Sequence, residues 1–307
     1  MIEVHLLGTG GMIPLPERHL TSLYVKYKGS GILIDCGEGT QVAIRKAGLG
    51  FKRIDMICFT HFHADHIAGL PGLLLTIGNS GRTNPVTVIG PRCVSRIVEC
   101  LCVIAPELPY KLDFVEIETS GPVITLDSLT VSAREVRHRI PCYAYKLSIK
   151  RPGRFHSQKA VSLGIPKQYW SILQAGNHIE INGKQIDPSS VMGEPRKGIT
   201  VSYATDLRPS DELVSFIHSS DLFICEGMYG DPDMQEKAIG YRHCMFSEAA
   251  VMAKNALVKR LWLTHFSPSM PDPEKYIEYA ANIFPKTYID EKKIVLTFQR
   301  GPSCAIS

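Results

Sequence analysis

The sequence predicts an α/β fold, and three observations carry that reading. Short apolar runs of strand length recur along the chain, among them Gly31-Ile32-Leu33-Ile34, Ile54 to Phe59, Val86-Thr87-Val88-Ile89, Ile199 to Tyr203 and Leu261-Trp262-Leu263. Helix-compatible stretches lie between them and end at glycine or polar turns, as Gln41 to Ala47 does at Gly48. Residues able to hold a metal, namely His61, His63, Asp65, His66, His138, Asp206 and His265, stand at or just beyond the ends of such strands. If the strands share a sheet system, these side chains converge on one edge.

With 307 residues, 44% of them hydrophobic, the chain has material for a substantial core. It reads as a single domain over 1–307 carrying an insertion at 150–197. A net charge of +4 permits an anionic partner without demanding one. Met1-Ile2-Glu3-Val4-His5 lacks a basic n-region and a cleavage pattern, and no apolar run approaches membrane-spanning length, so neither signal peptide nor membrane is expected. Nine cysteines are scattered without a Cys-x-x-Cys, which predicts reduced thiols and a cytoplasmic protein.

Ile2 to Leu7 is the first strand. Gly8-Thr9-Gly10-Gly11 ends it in a tight turn that lacks the lysine and spacing of a phosphate-cradling P-loop. Strands at Ser22 to Lys28 and Gly31 to Asp35 follow, and Asp35 and Glu38 are placed to support ligand histidines. The apolar run Ile54 to Phe59 then feeds Thr60-His61-Phe62-His63-Ala64-Asp65-His66, and Leu73-Leu74-Leu75 leaves it as a helix. His61 and His63, two apart, point the same way if the strand pitch continues. Asp65 and His66 turn the other way and serve a second cation. Burying this cluster without metal would leave several polar groups to satisfy.

A strand at Val86 to Ile89, a helix at Val94 to Ala105, and strands at Asp113 to Ile117, Leu129 to Val136 and Cys142 to Ile149 come next, with His138 between the last two. Residues 150–197 change character. Lys150, Arg151, Arg154, Lys159, Lys167, Lys184, Arg196 and Lys197 face only Glu180, Asp187 and Glu194, and core-building apolar periodicity is sparse. This is a solvated insertion whose composition suits phosphate contacts. Lys167 to Leu173 looks helical, and Tyr169 and Trp170 either stack on a ligand or pack beneath the insertion. The strand Ile199 to Tyr203 leads to Asp206, the helix Glu212 to His218 follows, and Asp221 to Cys225 is a strand ending at Glu226. Arg242-His243 precedes a helix running to Asn255, and the last of these strands ends at His265.

His-x-His-x-Asp-His after an apolar strand resembles the signature of metallo-β-lactamase-fold hydrolases. The continuation Ala68-Gly69-Leu70-Pro71-Gly72-Leu73-Leu74, the opening Leu7-Gly8-Thr9-Gly10-Gly11-Met12-Ile13-Pro14, the stretch Asp35-Cys36-Gly37-Glu38-Gly39-Thr40-Gln41 and the segment Leu263-Thr264-His265-Phe266-Ser267-Pro268 resemble its ribonuclease Z branch. The resemblance implies a four-layer αβ/βα sandwich and an endoribonuclease that removes the 3′ trailer of precursor tRNA. It implies two Zn²⁺ per subunit, with Mn²⁺ or Fe left open by the ligand types: one held by His61, His63 and His138, the other by Asp65, His66 and His265, with Asp206 bridging. Asp65 would orient the attacking water, and His243 would protonate the leaving O3′. The insertion becomes an arm gripping the tRNA, with Arg151, Arg154, Lys159 and Lys167 as contact candidates, in a homodimer. Two departures stand out. Glu226-Gly227-Met228-Tyr229 occupies the place of the family's Glu-Ala-Thr-Phe, and His243-Cys244-Met245 that of His-Ser-Thr. They leave room for a hydrolase of a small phosphodiester or other ester; a catalytically silent RNA-binding scaffold is a third reading.

Overall fold

A computed structural model describes residues 1–105, 107–126, 128–289 and 292–298. The first sheet is built from β1 (Ile2–Gly8), β2 (Ser22–Tyr27), β3 (Ser30–Ile34), β4 (Ile54–Cys58), β5 (Val86–Gly90) and β6 (Leu112–Glu116). The second begins with β7 (Gly121–Leu126), β8 (Leu129–Val136) and β9 (Cys142–Arg151). The insertion carries a hairpin of β10 (Ile179–Ile181) and β11 (Lys184–Ile186). The second sheet resumes with β12 (Arg196–Ala204), β13 (Leu222–Glu226), β14 (Leu261–Thr264) and β15 (Thr287–Tyr288), and β16 (Lys293–Leu296) returns to the first. The sheet orders are β16-β1-β2-β3-β4-β5-β6 and β15-β14-β13-β12-β9-β8-β7.

Each sheet is mixed. Antiparallel pairing joins β16, β1, β2 and β3, then parallel pairing joins β3, β4, β5 and β6. The second sheet repeats the plan, antiparallel from β7 to β12 and parallel from β12 to β15. Between the sheets lies an apolar interior to which both contribute, including Val4, Val25 and Ile34 from one and Val131, Tyr145, Val201 and Trp262 from the other. Helices cover the outer faces. Thr40–Lys46 and Leu70–Asn79 bury Ile44, Leu73 and Leu74 on the first sheet, and Asp211–Ile217 and Phe246–Asn255 bury Leu213, Phe216 and Phe246 on the second. This is the four-layer sandwich expected.

Local differences have plain causes. The helix at Val94 stops at Leu101 and gives way to a tighter turn at Cys102–Ile104. β7, which contains Pro122 and has no counterpart among the strands expected from sequence, is an edge strand, where a missing N–H is tolerated. The insertion also has a core of its own. Ala160, Ile165, Leu173, Ile179 and Val191 are buried together, with Phe155, Tyr169 and Trp170 packed on them. Trp170 lies 5.3 Å from Phe155 between ring centroids and donates from Nε1 to the Ile165 carbonyl at 2.9 Å, so it packs rather than standing free. Arg154, Lys159 and Lys167 are exposed on its surface, while Arg151 is half-buried at its root, its guanidinium 5.2 Å from the centroid of the Phe298 ring.

The insertion joins the sandwich at the far end of β9 and β12, where Arg151 pairs with Arg196. β12 then runs nine residues to Ala204. At about 3.3 Å per residue, the root of the insertion stands roughly 30 Å from the edge where Asp206 sits.

Candidate metal centre and active site

β8, β12, β13 and β14 run in one direction, so their carboxyl ends share an edge, the place where α/β sheets present their chemistry. His138 follows β8, Asp206 follows β12, Glu226 ends β13 and His265 follows β14. The histidine loop follows β4 of the facing sheet and meets them there. Asp35, Asp206 and His265 each turn in off a strand end with a left-handed backbone, at φ of 61°, 55° and 56°. Strained backbone of this kind, costing about 1–3 kcal/mol per residue, persists where packing over-determines it.

Two groups of potential ligands form. In the first, His61 Nε2 lies 2.9 Å from His63 Nδ1, and His138 Nε2 lies 3.4 Å from the same atom. Asp206 Oδ1 faces them at 3.9 Å from His61 and 3.7 Å from His138. In the second, His66 and His265 bring their Nε2 atoms to 3.1 Å, and Asp65 Oδ2 is 3.6 and 3.5 Å from them. Asp206 Oδ2 faces this set, 3.0 Å from His66 and 3.1 Å from His265. One carboxylate therefore looks both ways, as a bridging ligand must.

The residues fit divalent metal. Asp206 is buried, and its Oδ2 has no hydrogen-bond partner despite two imidazole nitrogens close by. Lone pairs converging without hydrogen bonds are expensive unless a cation sits among them. Burial pulls His61, His63 and His138 below the usual histidine range, His138 to about 4, which favours the neutral imidazole that binds cations. Burial opposes charge on Asp206, but His265, His66 and His61 outweigh it and keep the carboxylate ionised.

Supporting contacts fix the rings. Asp35, fully buried, accepts from His66 Nδ1 at 2.9 Å and from the Thr60 amide at 2.8 Å. Glu38 does not share this role: its side chain is exposed. The glycine turn after β1 is a clasp, not a phosphate cradle. The Gly11 amide donates to the Phe266 carbonyl at 3.1 Å, and the Phe266 amide donates to Thr9 at 2.7 Å. The neighbouring Met12 amide donates to Asp65 Oδ2 at 2.8 Å. Gly11 lies against the His265 ring, where a Cβ would come within 2.6 Å of Cε1.

His243 lies beside the second ligand set, its ring centroid 5.8 Å from that of His265. Glu226, fully buried, accepts from its Nδ1 at 2.9 Å and from the Leu207 amide at 2.5 Å. Burial works against a charged imidazole, but the carboxylates of Glu226, Asp206 and Asp65 outweigh it and push His243 up to about 9. The residues after it are packing elements. Cys244 is fully buried, and Met245 joins Met228, Tyr229 and Ala238 in an apolar cluster. Arg208 secures the segment, donating to the His243 carbonyl at 2.5 Å and pairing with Glu248, which in turn accepts the Met245 amide at 2.9 Å. Neither Arg208 nor Glu248 announces itself in sequence; both read as ordinary surface charges. A cleft of about 550 Å³, lined by His63, Asp65, Asp206, His243 and His265, opens this group to solvent.

The family model for anti-Pycsar protein Apyc1 matches residues 2–101. The ribonuclease Z of Lachnoclostridium phytofermentans is 49% identical over 303 residues, covering 98% of this chain and all of that one. The ribonuclease Z of Lachnospira eligens is 51% identical, covering 94% of each chain. Human tRNase Z, short form, superposes with a TM-score of 0.69 at 22% identity, over 96% of this chain and all of that one, and shows the same fold. Sequence likeness at this level over nearly the whole length leaves one assignment: the chain belongs to the ribonuclease Z family.

Proposed function

We propose that the protein is a metal-dependent endoribonuclease that cuts precursor tRNA at its 3′ end, releasing a tRNA with a 3′-OH and a trailer with a 5′-phosphate. The observation that carries this is Asp206, whose two oxygens face two separate ligand sets beside a histidine held protonated. His61, His63 and His138 would hold one divalent cation, and Asp65, His66 and His265 would hold the other. The donor set of imidazoles and carboxylates suits Zn²⁺, and Mn²⁺ or Fe accept the same donors. When bound, such a pair supplies Lewis acidity at the scissile phosphate. Asp65, fixed by the Met12 amide, accepts a hydrogen bond from the attacking water and aims it. His243 keeps its Nδ1 proton on Glu226 and delivers the Nε2 proton to the departing O3′.

The basic arm grips the tRNA away from the cut. Its root lies roughly 30 Å from its own metal centre by strand rise, and by family likeness one copy's arm serves the other's site in a homodimer. Among the described residues all eight cysteines are free, which accords with a reducing cytoplasm. No helix among those residues is long and apolar enough to cross a membrane.

Deleting residues 151–195 tests the arm. The arm buries its own cluster, so its removal leaves the sandwich interior covered. Cleavage of precursor tRNA after the discriminator base should be lost, while cleavage of a small chromogenic phosphodiester should survive. Equal loss on both substrates would refute the arm's role. An intact protein cutting only the small substrate would make it a small-phosphodiester hydrolase, and one cutting neither with metal supplied would make it a silent scaffold.

A further inference from the structure

Beyond His138, a second and larger cleft of about 860 Å³ opens beside the metal centre. Arginines dominate its wall: Arg134, Arg137, Arg139, Arg208 and Arg242. They are not equally neutralised. Arg208 is committed to Glu248. Arg137 meets Glu212 only at 3.8 Å, with both side chains more than half exposed, a pairing worth little in water. Among the described residues, Glu135 is the only other acid on the wall. Arg134 has its Nε buried with no hydrogen-bond partner, so a donor inside the cleft wall lacks an acceptor. Arg139 donates to the Gly240 carbonyl at 3.2 Å and lies over the Tyr241 ring at 5.0 Å; Arg242 donates to the His138 carbonyl at 2.5 Å. These last two tie the helix Gln235–Tyr241 to the loop after β8, and that joint is the wall common to both clefts. His138 and Arg139 line both.

We propose that this arginine cleft holds the phosphates of the single-stranded 3′ trailer, a substrate-positioning site distinct from the arm. The assignment rests on the RNA-processing reading above. It follows from position and charge: the cleft adjoins the metal centre through His138 and Arg139, and arginines line it. Cleavage after the discriminator base leaves a single unpaired nucleotide on the mature side, so the double-stranded stem arrives almost at the cut and needs an open face. The trailer is a flexible strand that enters a recess of a size suited to compact ligands, about 300–1,000 Å³. Guanidinium groups bind its phosphates through paired N–H donors.

The test compares two precursor tRNAs, one with a single-nucleotide trailer and one with a long unstructured trailer. Arg137→Glu and Arg134→Gln should each lower the long-to-short ratio of kcat/KM by roughly tenfold, mainly through KM. The salt dependence for the long substrate should flatten by about one charge per arginine lost. Direct binding of a 5′-phosphorylated trailer oligonucleotide, read by fluorescence anisotropy, should weaken by a similar factor. Arg137 is exposed, so its variant keeps the fold even if Arg134→Gln does not. A ratio within twofold of wild type, or equal loss on both precursors, overturns the proposal. Failure of the wild type to cut either precursor overturns instead the RNA-processing reading beneath it.

Discussion

Glu226→Gln isolates the electrostatic role of a single buried carboxylate. Glutamine keeps the shape of the side chain and can still accept the Leu207 amide with its oxygen. It removes the negative charge 2.9 Å from His243 Nδ1. At an effective dielectric constant of about 20 and a charge separation of about 4 Å, that attraction is about 4 kcal/mol, or roughly three pK units. This is enough to return His243 from about 9 to near its ordinary value of 6.5. The sign follows from the protonated ring being the acid. A raised pKa keeps the acid present until pH climbs through about 9, and the variant loses it near 6.5 instead. At pH 8 the protonated fraction falls about thirtyfold, while at pH 6 it barely changes. Single-turnover cleavage of precursor tRNA across pH, with metal saturating, measures this. The variant should nearly match wild type at the acid end and fall about thirtyfold behind it at pH 8. His243→Ala should lose the alkaline dependence and run about 10²–10⁴-fold slower. A uniform loss at every pH for Glu226→Gln would refute the reasoning and leave Glu226 with a purely architectural role.

Two further outcomes follow from packing. Gly11→Ala drives a methyl group to within 2.6 Å of His265 Cε1 and should displace that ligand. Metal affinity, measured by chelator competition, should fall by about 10–100-fold, the range found when a ligand's orientation is disturbed. Trp170→Ala removes the largest side chain of the arm's small core and should cost it about 2–3 kcal/mol. Amides within 155–191 should exchange faster while the sandwich stays protected, and KM for precursor tRNA should rise at least tenfold with small-substrate turnover unchanged.

How much of the site is legible in the sequence depends on how local each part is. His61, His63, Asp65 and His66 fall within one loop, so their density alone signals metal. His138, Asp206 and His265 are single residues at strand ends, ordinary in isolation, and the family likeness places them in the set. Asp35 is readable as a supporter because it ends a strand; Glu38 occupies a similar local pattern, yet its side chain points outward. Glu226 keeps its family position in the sequence, but its hold on His243 appears only when β13 and the segment after Gln235–Tyr241 are brought together. The arm's core escapes a periodicity reading because Ala160, Ile165, Leu173, Ile179 and Val191 are spaced by turns rather than by a helical or strand repeat. The arginine cleft is likewise assembled from residues on β8, the loop after it and a distant helix end.

The clasp between the turn after β1 and the loop after β14 also bears on biosynthesis. Ligands from the amino-terminal half cannot complete the paired centre until β12 and β14 have been made and docked, since Asp206 and His265 come last. A nascent chain still lacking Leu261 onward carries His61, His63, His138 and Asp206 but lacks His265, so the second set stays incomplete. Pairing of the two sets is therefore a late event that awaits closure of the second sheet on β14.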